Sequence, residues 1–125
     1  GSISCNIKFF GAIYEESLLA KLIMRHKVAV IPGDLGLSAI HCFAYGVPVV
    51  SHNMVERQKP EFEVLTHGKT GRTYEYLDKE SLASEMLVAH LSGNKYSTAC
   101  RSLISRKYTP AKQVDAILKA IDLCE

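Results

Sequence analysis

The residues best placed for chemistry lie in the segment Ile31–Val50. An apolar strand pattern stops at Pro32, glycines at 33 and 36 turn the chain, and a helical pattern begins near Leu37. That order sets the backbone N–H groups of Gly36, Leu37 and Ser38 at a helix N-terminus, on the carboxyl edge of a strand. The first amides of a helix have no intrahelical acceptor and sit at the positive end of its dipole, so they bind phosphate. Gly33 and Gly36 also fit the plainer role of making the turn. Ser38 and His41 are three residues apart and share a helix face. His41, one turn in, stands where the sugar or base of a nucleotide would rest, although a histidine among apolar residues equally fits a core or surface position. His52 follows the next strand and could reach the same crevice from a second carboxyl edge.

A second candidate runs from Pro60-Glu61-Phe62-Glu63 to His67-Gly68-Lys69-Thr70-Gly71. A carboxylate at the start of a short helix, Glu61 or Glu63, can accept ribose or sugar hydroxyls, and a glycine-rich turn can lie close to a ligand. A capped helix followed by a surface turn explains the same pattern. His67 and His90 read as loop and helix-surface residues. No side chain stands out as a catalytic nucleophile or base. Cys5, Cys42, Cys100 and Cys124 are scattered, without zinc-site or Cys-x-x-Cys spacing, so no metal centre is expected. They read as buried thiols of a reducing compartment rather than a disulfide framework.

These residues need a framework that alternates strands and helices. Ile7–Phe10 reads as a strand ended by Gly11. Leu18, Leu19, Leu22, Ile23 and His26 recur at helical spacing, with Glu15 and Glu16 at the helix start. Val28–Ile31 is an unbroken apolar run, β-branched except for Ala29, of the kind found in strands covered on both faces. A helix over Leu37–Tyr45 with Gly46 as its C-cap leads to a strand at Val47–Val50. Ser51–Lys59 is polar, Pro60–Leu65 a short helix, and Arg72–Tyr76 a small edge strand. Asp78 is the expected N-cap of a helix with Leu82, Met86, Leu87 and His90, ending near Gly93. Tyr96, Ala99, Cys100 and Leu103 define another helix, and Thr109-Pro110 opens a last one with Val114, Ile117, Leu118 and Ile121. Strands alternating with helices predict parallel βαβ units. The expected fold is a Rossmann-like α/β domain over 1–125, with a helical tail over 94–125.

Composition agrees with a globular chain: 125 residues, 47% hydrophobic and 22% charged. Apolar runs fall far below the roughly 20 residues that span a bilayer. A net charge of +2 gives no nucleic-acid footprint, and Arg72, Arg101, Arg106 and Lys107 read as a solvated face. No signal peptide is recognisable, so a cytoplasmic location is expected. Gly1-Ser2 reads as a cloning scar, with the natural chain starting further upstream.

Ile31-Pro32-x-x-x-Gly36-Leu37-Ser38, followed by Phe43-Ala44-Tyr45-Gly46-Val47-Pro48-Val49-Val50, resembles the donor-binding lobe of GT-B glycosyltransferases, in particular glycosyltransferase family 4. Gly68-Lys69-Thr70-Gly71 matches that family's Gly-x-Thr-Gly turn, and the likeness spans about residues 7 to 92. It implies part of the C-terminal lobe of a retaining enzyme that transfers a sugar from a nucleotide donor without a bound metal or other cofactor. Gly33, Gly36, Leu37, Ser38 and His41 would bind the donor and its phosphates. His52, Glu61 and Glu63 would line the sugar or ribose side. The family's signature pair of glutamates, eight positions apart, falls here on Gly33 and His41. His41 could take over the ribose hydroxyls, whereas Gly33 has no side chain to offer.

Only the later part of a donor lobe is matched. The chain is therefore expected to be a fragment, inactive alone, of an enzyme whose N-terminal lobe binds a saccharide or lipid-linked acceptor. The look of the loop is similar to transferases of bacterial surface-polysaccharide or lipopolysaccharide synthesis, for which peripheral association with the inner face of the membrane is an option. Two alternatives stay open: a sugar-nucleotide epimerase relative, and a non-catalytic Rossmann-like partner domain. A phosphoacceptor receiver domain is excluded, because its strand ends would carry aspartates where Gly11, Pro32 and Ser51 stand.

Overall fold

The computed structural model describes residues 7–92 and 94–107. Its centre is the run around Val49 and Val50, β-branched residues whose side chains point to opposite faces of a strand and are fully buried on both. Strand β2 (Val49–His52) lies between β1 (Ala29–Val30) and β3 (Gly71–Tyr74), and both pairings are parallel. Ala29 stands opposite Val49, and Val50 opposite Arg72. Among the described residues the four α-helices are α1 (Glu16–Met24), α2 (Leu37–Ala44), α3 (Lys79–Leu91) and α4 (Lys95–Lys107). They cover the two faces of the sheet unequally. Val49 packs with Leu35, Ala39 and Phe43 of the α2 region, with Phe62, and with Leu103 and Ile104 of α4. Val50 packs on the other face with Tyr74, Tyr96, and Leu82 and Ala89 of α3. The result is a Rossmann-like α/β layer structure.

The helix ends follow the sequence closely. Gly46, at φ 75°, closes α2 in a Schellman motif: its N–H bonds to Phe43 O (2.9 Å) and that of Val47 to Cys42 O (2.8 Å). Asp78 caps α3, its Oδ1 accepting from the N–H groups of Glu80 and Ser81 (3.0 and 3.1 Å). The short helix at 60–65 is a 3₁₀ turn, Pro60–Val64, preceded by another at Val55–Arg57. Between β2 and β3 these turns provide the crossover.

Four strand expectations shift. Ile7–Phe10 forms no strand; Ile7 is 71% and Phe9 95% exposed, and among the described residues no strand pairs with them. The strand expected at Val47–Val50 starts two residues later, because Val47 is spent on the α2 cap and Pro48 has no N–H for a ladder. Val28–Ile31 narrows to Ala29–Val30 and is half-buried, since β1 is an edge among the described residues. The strand expected at Arg72–Tyr76 forms as Gly71–Tyr74, ending where a turn closes with Asp78 N–H on Glu75 O (2.9 Å). The first part of the expected helical tail, α4, is a core element, with Tyr96 and Cys100 buried. The helix expected after Thr109-Pro110, and also Cys5 and Cys124, lie outside the described residues.

Arg72 and Glu85 join β3 to α3 through a 2.5 Å ion pair, each side chain 20% exposed. The Glu85 carboxylate holds the guanidinium pKa above its ordinary value. Cys42 and Cys100 are buried, unpaired thiols between α2 and α4. Burial pushes Cys42 up to about 11 and Cys100 up to about 12.

Two predictions rest on this packing. A Cβ on Gly71 would stand 1.9 Å from the carbonyl oxygen of Val49, while one on Gly33 would meet nothing within 4 Å. Urea unfolding should show Gly71→Ala destabilised by about 3 kcal/mol or more, and Gly33→Ala by less than about 1 kcal/mol. The thiolate is the reactive form of cysteine. At pH 8 iodoacetamide should therefore label Cys42 and Cys100 about 100-fold more slowly in the folded chain than in urea. Because the folded-state thiol pKa values are raised, their contribution to stability is complete below pH 9 and is lost as pH rises through about 11 to 12.

Candidate functional site

The carboxyl edge of β1 and β2 is organised by one side-chain amide. Gln58 accepts the Leu35 N–H at Oε1 (2.7 Å) and donates from Nε2 to Ser51 Oγ (3.0 Å) and His52 O (3.0 Å). Ser51 Oγ in turn donates to Ile31 O (2.8 Å). The end of β1, the end of β2, the loop before α2 and the approach to the 3₁₀ turn Pro60–Val64 are thereby fixed to one another. Leu35 is fully buried, so the loop Gly33–Gly36 is anchored from below as well.

The anchored loop delivers the start of α2. Gly36 is its N-cap, and no side chain caps the helix. The N–H groups of Leu37 and Ser38 make no hydrogen bond among the described residues, whereas that of Ala39 returns to Gly36 O (3.1 Å). Leu37, Ser38 and His41 are exposed, and Gly33 lies open in the loop. Gly36, Leu37, Ser38 and His41 therefore form one accessible surface at the helix N-terminus.

Two further groups adjoin it. The Lys59 side chain passes over Gly36: a Cβ there would stand 3.8 Å from its Cδ and 4.0 Å from its Nζ. An ammonium beside free amides at a positive helix end is an anion-binding arrangement. The 3₁₀ turn Pro60–Val64 packs against α2, and it separates the two candidate carboxylates. Glu63 is exposed, while Oε2 of half-buried Glu61 is itself buried and has no hydrogen-bond partner.

His52 lies elsewhere. It follows Val50 in the alternation of β2, so its ring turns toward the α3 side of the sheet, away from α2. There it is 2% exposed, 6.5 Å from the Tyr74 ring and 4.9 Å from that of Tyr76. Its Nδ1 accepts the Met54 N–H (3.2 Å), which places the ring proton on Nε2. Arg57 completes the stack, 5.5 Å from the Tyr76 ring centre.

The glycine-rich turn is also structural in its details. Thr70 Oγ1 donates to Val64 O (2.9 Å) and accepts the Thr66 N–H (2.8 Å). Gly71 is required by its contact with β2. His67 accepts the Thr73 N–H at Nδ1 (2.9 Å).

Sequence reasoning missed Gln58 and Lys59, which sit in the stretch it read only as polar. For Lys59 a signal existed: a cation directly before the proline that starts a helical turn. Among the described residues no three potential metal ligands come together, and no helix is long and apolar enough to cross a membrane. Comparison of the chain with protein-family models, with curated proteins and with solved structures finds no match.

Replacing Gln58 by Ala strips the Leu35 N–H, Ser51 and His52 O of one partner each. Gln58→Ala should lower stability by about 2 to 3 kcal/mol in urea unfolding. Amide exchange at Leu35 should speed up more than at Val50, because the loop is released before the sheet.

Proposed function

We propose that the chain is the nucleotide-sugar-binding part of a retaining glycosyltransferase, of the GT-B class and glycosyltransferase family 4 kind, acting in bacterial surface-polysaccharide or lipopolysaccharide synthesis. The observation that carries this reading is the uncapped start of α2, with free Leu37 and Ser38 amides beside the Lys59 ammonium. The likeness of Ile31–Val50 to that family supplies the reaction.

Transfer breaks the bond between the sugar's anomeric carbon and the donor phosphate, so negative charge grows on the leaving diphosphate. Fixed donors aimed at that charge lower the barrier without reorganising. The amides at Leu37 and Ser38 and the Lys59 ammonium are such donors. Glu61, with its open buried oxygen, accepts a ribose or sugar hydroxyl, and His41 on the same helix face reaches the ribose. Glu63 stays in solvent. The acceptor, saccharide or lipid-linked, is bound by a separate N-terminal lobe, and the whole enzyme works in the cytoplasm, at the inner membrane face. No metal takes part in this scheme.

A second reading, a non-catalytic partner domain, is favoured by one specific feature: Gly33 and His41 stand where the family carries its signature glutamates. Such a domain would still bind the nucleotide at the start of α2.

Titration of ¹⁵N-labelled chain with UDP, GDP and ADP tests the shared core of both readings. Amide shifts should concentrate at Gly36–His41 and around Lys59–Thr70, with one base preferred. Lys59→Met should weaken the preferred nucleotide about tenfold. With the intact nucleotide sugar, Glu61→Gln should weaken binding while Glu63→Gln leaves it within about twofold. No shifts with any of the three, in a folded sample at millimolar ligand, would remove nucleotide binding from this chain.

A further inference from the structure

His52 is buried on the α3 side of the sheet, yet its ring and its carbonyl both act on the turn that delivers the α2 site. Nδ1 accepts the Met54 N–H (3.2 Å), and the carbonyl accepts from Gln58 Nε2 (3.0 Å). Between those two bonds lies the 3₁₀ turn Val55–Arg57. It is closed by Arg57 N–H on Met54 O and by Gln58 N–H on Val55 O, each at 3.0 Å. The imidazole thus pins the start of the turn, and the Gln58 amide pins its end. Gln58 also holds the Leu35 N–H (2.7 Å), and the next residue, Lys59, passes beside Gly36.

The first of these pins depends on charge. A neutral imidazole accepts at one nitrogen, whereas an imidazolium carries N–H on both and accepts nothing. With the ring proton on Nε2, an added proton goes to Nδ1 and sets a donor against the Met54 N–H. The surroundings act in the same direction. On β3 and the turn after it the ring meets the phenols of Tyr74 and Tyr76. From α3 and β1 this face of the sheet receives Leu82 and Val30, which bring no charge. The 3₁₀ turn carries Glu56, which is exposed, and Arg57, which stacks on Tyr76 at 5.5 Å. A cationic ring therefore adds repulsion against Arg57, the residue before Gln58. We propose that His52 is the positioning residue of the α2 site and its acid switch. Neutral, it holds Met54 and keeps Lys59 beside Gly36; protonated, it releases Met54, and Gln58 and Lys59 come away from the loop. The regulation rests on the nucleotide-binding reading of that site, whereas the change in the loop does not. Imidazole is the side chain whose unperturbed pKa puts its charge change between pH 5 and 8, so the release is expected in that window.

Amide hydrogen exchange of the unmodified, ligand-free chain at pH 8 and pH 5 gives the first test. Protection factors, which already allow for the intrinsic effect of pH, should fall about fivefold or more at Met54 and Leu35 and stay constant at Val50. Unchanged protection at Leu35, or a loss at Val50 in step with it, overturns the proposal. The second test uses His52→Asn. An Asn side-chain oxygen accepts the N–H two residues on, as in an Asx turn, and does not titrate. In this variant Leu35 should stay protected at pH 5; the same fall as in the unmodified chain assigns the effect to another group and overturns the switch. The third test measures the affinity for whichever of UDP, GDP and ADP binds best. On going from pH 8 to pH 5 the unmodified chain should weaken about fivefold relative to His52→Asn, any contribution of His41 or of the phosphates being common to both. An equal change in the two proteins overturns the regulation. Absence of nucleotide binding at every pH sinks the reading of the site instead, and the Leu35 result still decides whether His52 controls the loop.

Discussion

The amide of Gln58 is the interaction on which the rest of the functional edge depends. Its two hydrogens and its oxygen are all used, on segments far apart in sequence: Leu35 before α2, and Ser51 and His52 at the end of β2. Through Ser51 the same network reaches Ile31 at the end of β1. Part-buried hydrogen bonds of this kind rigidify when every member is satisfied, and here they are. The consequence is positional. Lys59 is the next residue after Gln58, and Gly36 the next after Leu35, so bonding Gln58 to Leu35 brings the ammonium to the helix start. The site is set by the sheet through one side chain rather than by the loop's own preferences.

The sheet was legible because its residues allow little else. Valine runs at 28–30 and 47–50 favour a pleated backbone with both faces covered, and the Gly46 turn and Asp78 cap are fixed by local chemistry. What the sequence left ambiguous was where a valine run stops serving the ladder. Val47 belongs to the same run as Val49, but its N–H goes back to Cys42 and so ends a helix instead of starting a strand. Ile7–Phe10 shows the complementary limit: strand propensity describes a fit to neighbours, and among the described residues no neighbour is paired with it.

The site was legible in its backbone and not in its side chains. Two glycines, a proline-ended strand and a helical pattern are enough to place Gly36–Ser38. His52 was misplaced although the signal was present: a period of two puts it with Val50, on the α3 side. Glu61 and Glu63 are two apart on a 3₁₀ turn of three residues, so they face different surroundings, and only the fold tells which one is sheltered. Gly71 and Thr70 carry a lesson about the resemblance itself. A Gly-x-Thr-Gly turn is demanded here by the carbonyl of Val49 and by Val64 O, so this part of the likeness reports a strand junction and holds no information about a ligand.

The asymmetry of α2 is the more telling feature. Its C-terminal end is closed by Gly46 and Val47, with Arg101 adding a bond to Tyr45 O. Its N-terminal end is left with glycine as the cap and two open amides. The same chain caps α3 with an aspartate, so side-chain capping is within its means. A carboxylate at position 36 would occupy the place an external anion would take, and its negative charge would exclude one. Having glycine instead of a side-chain cap costs about a few tenths of a kcal/mol of helix stability. Lys59 and Glu61 add to that cost, because among the described residues neither forms an ion pair and one oxygen of Glu61 is buried without a partner. Around them the fold satisfies Ser51, Thr70 and Gln58 completely. The open amides of Leu37 and Ser38 and the Lys59 ammonium lie together at the start of α2, which is the arrangement an anionic ligand would complete.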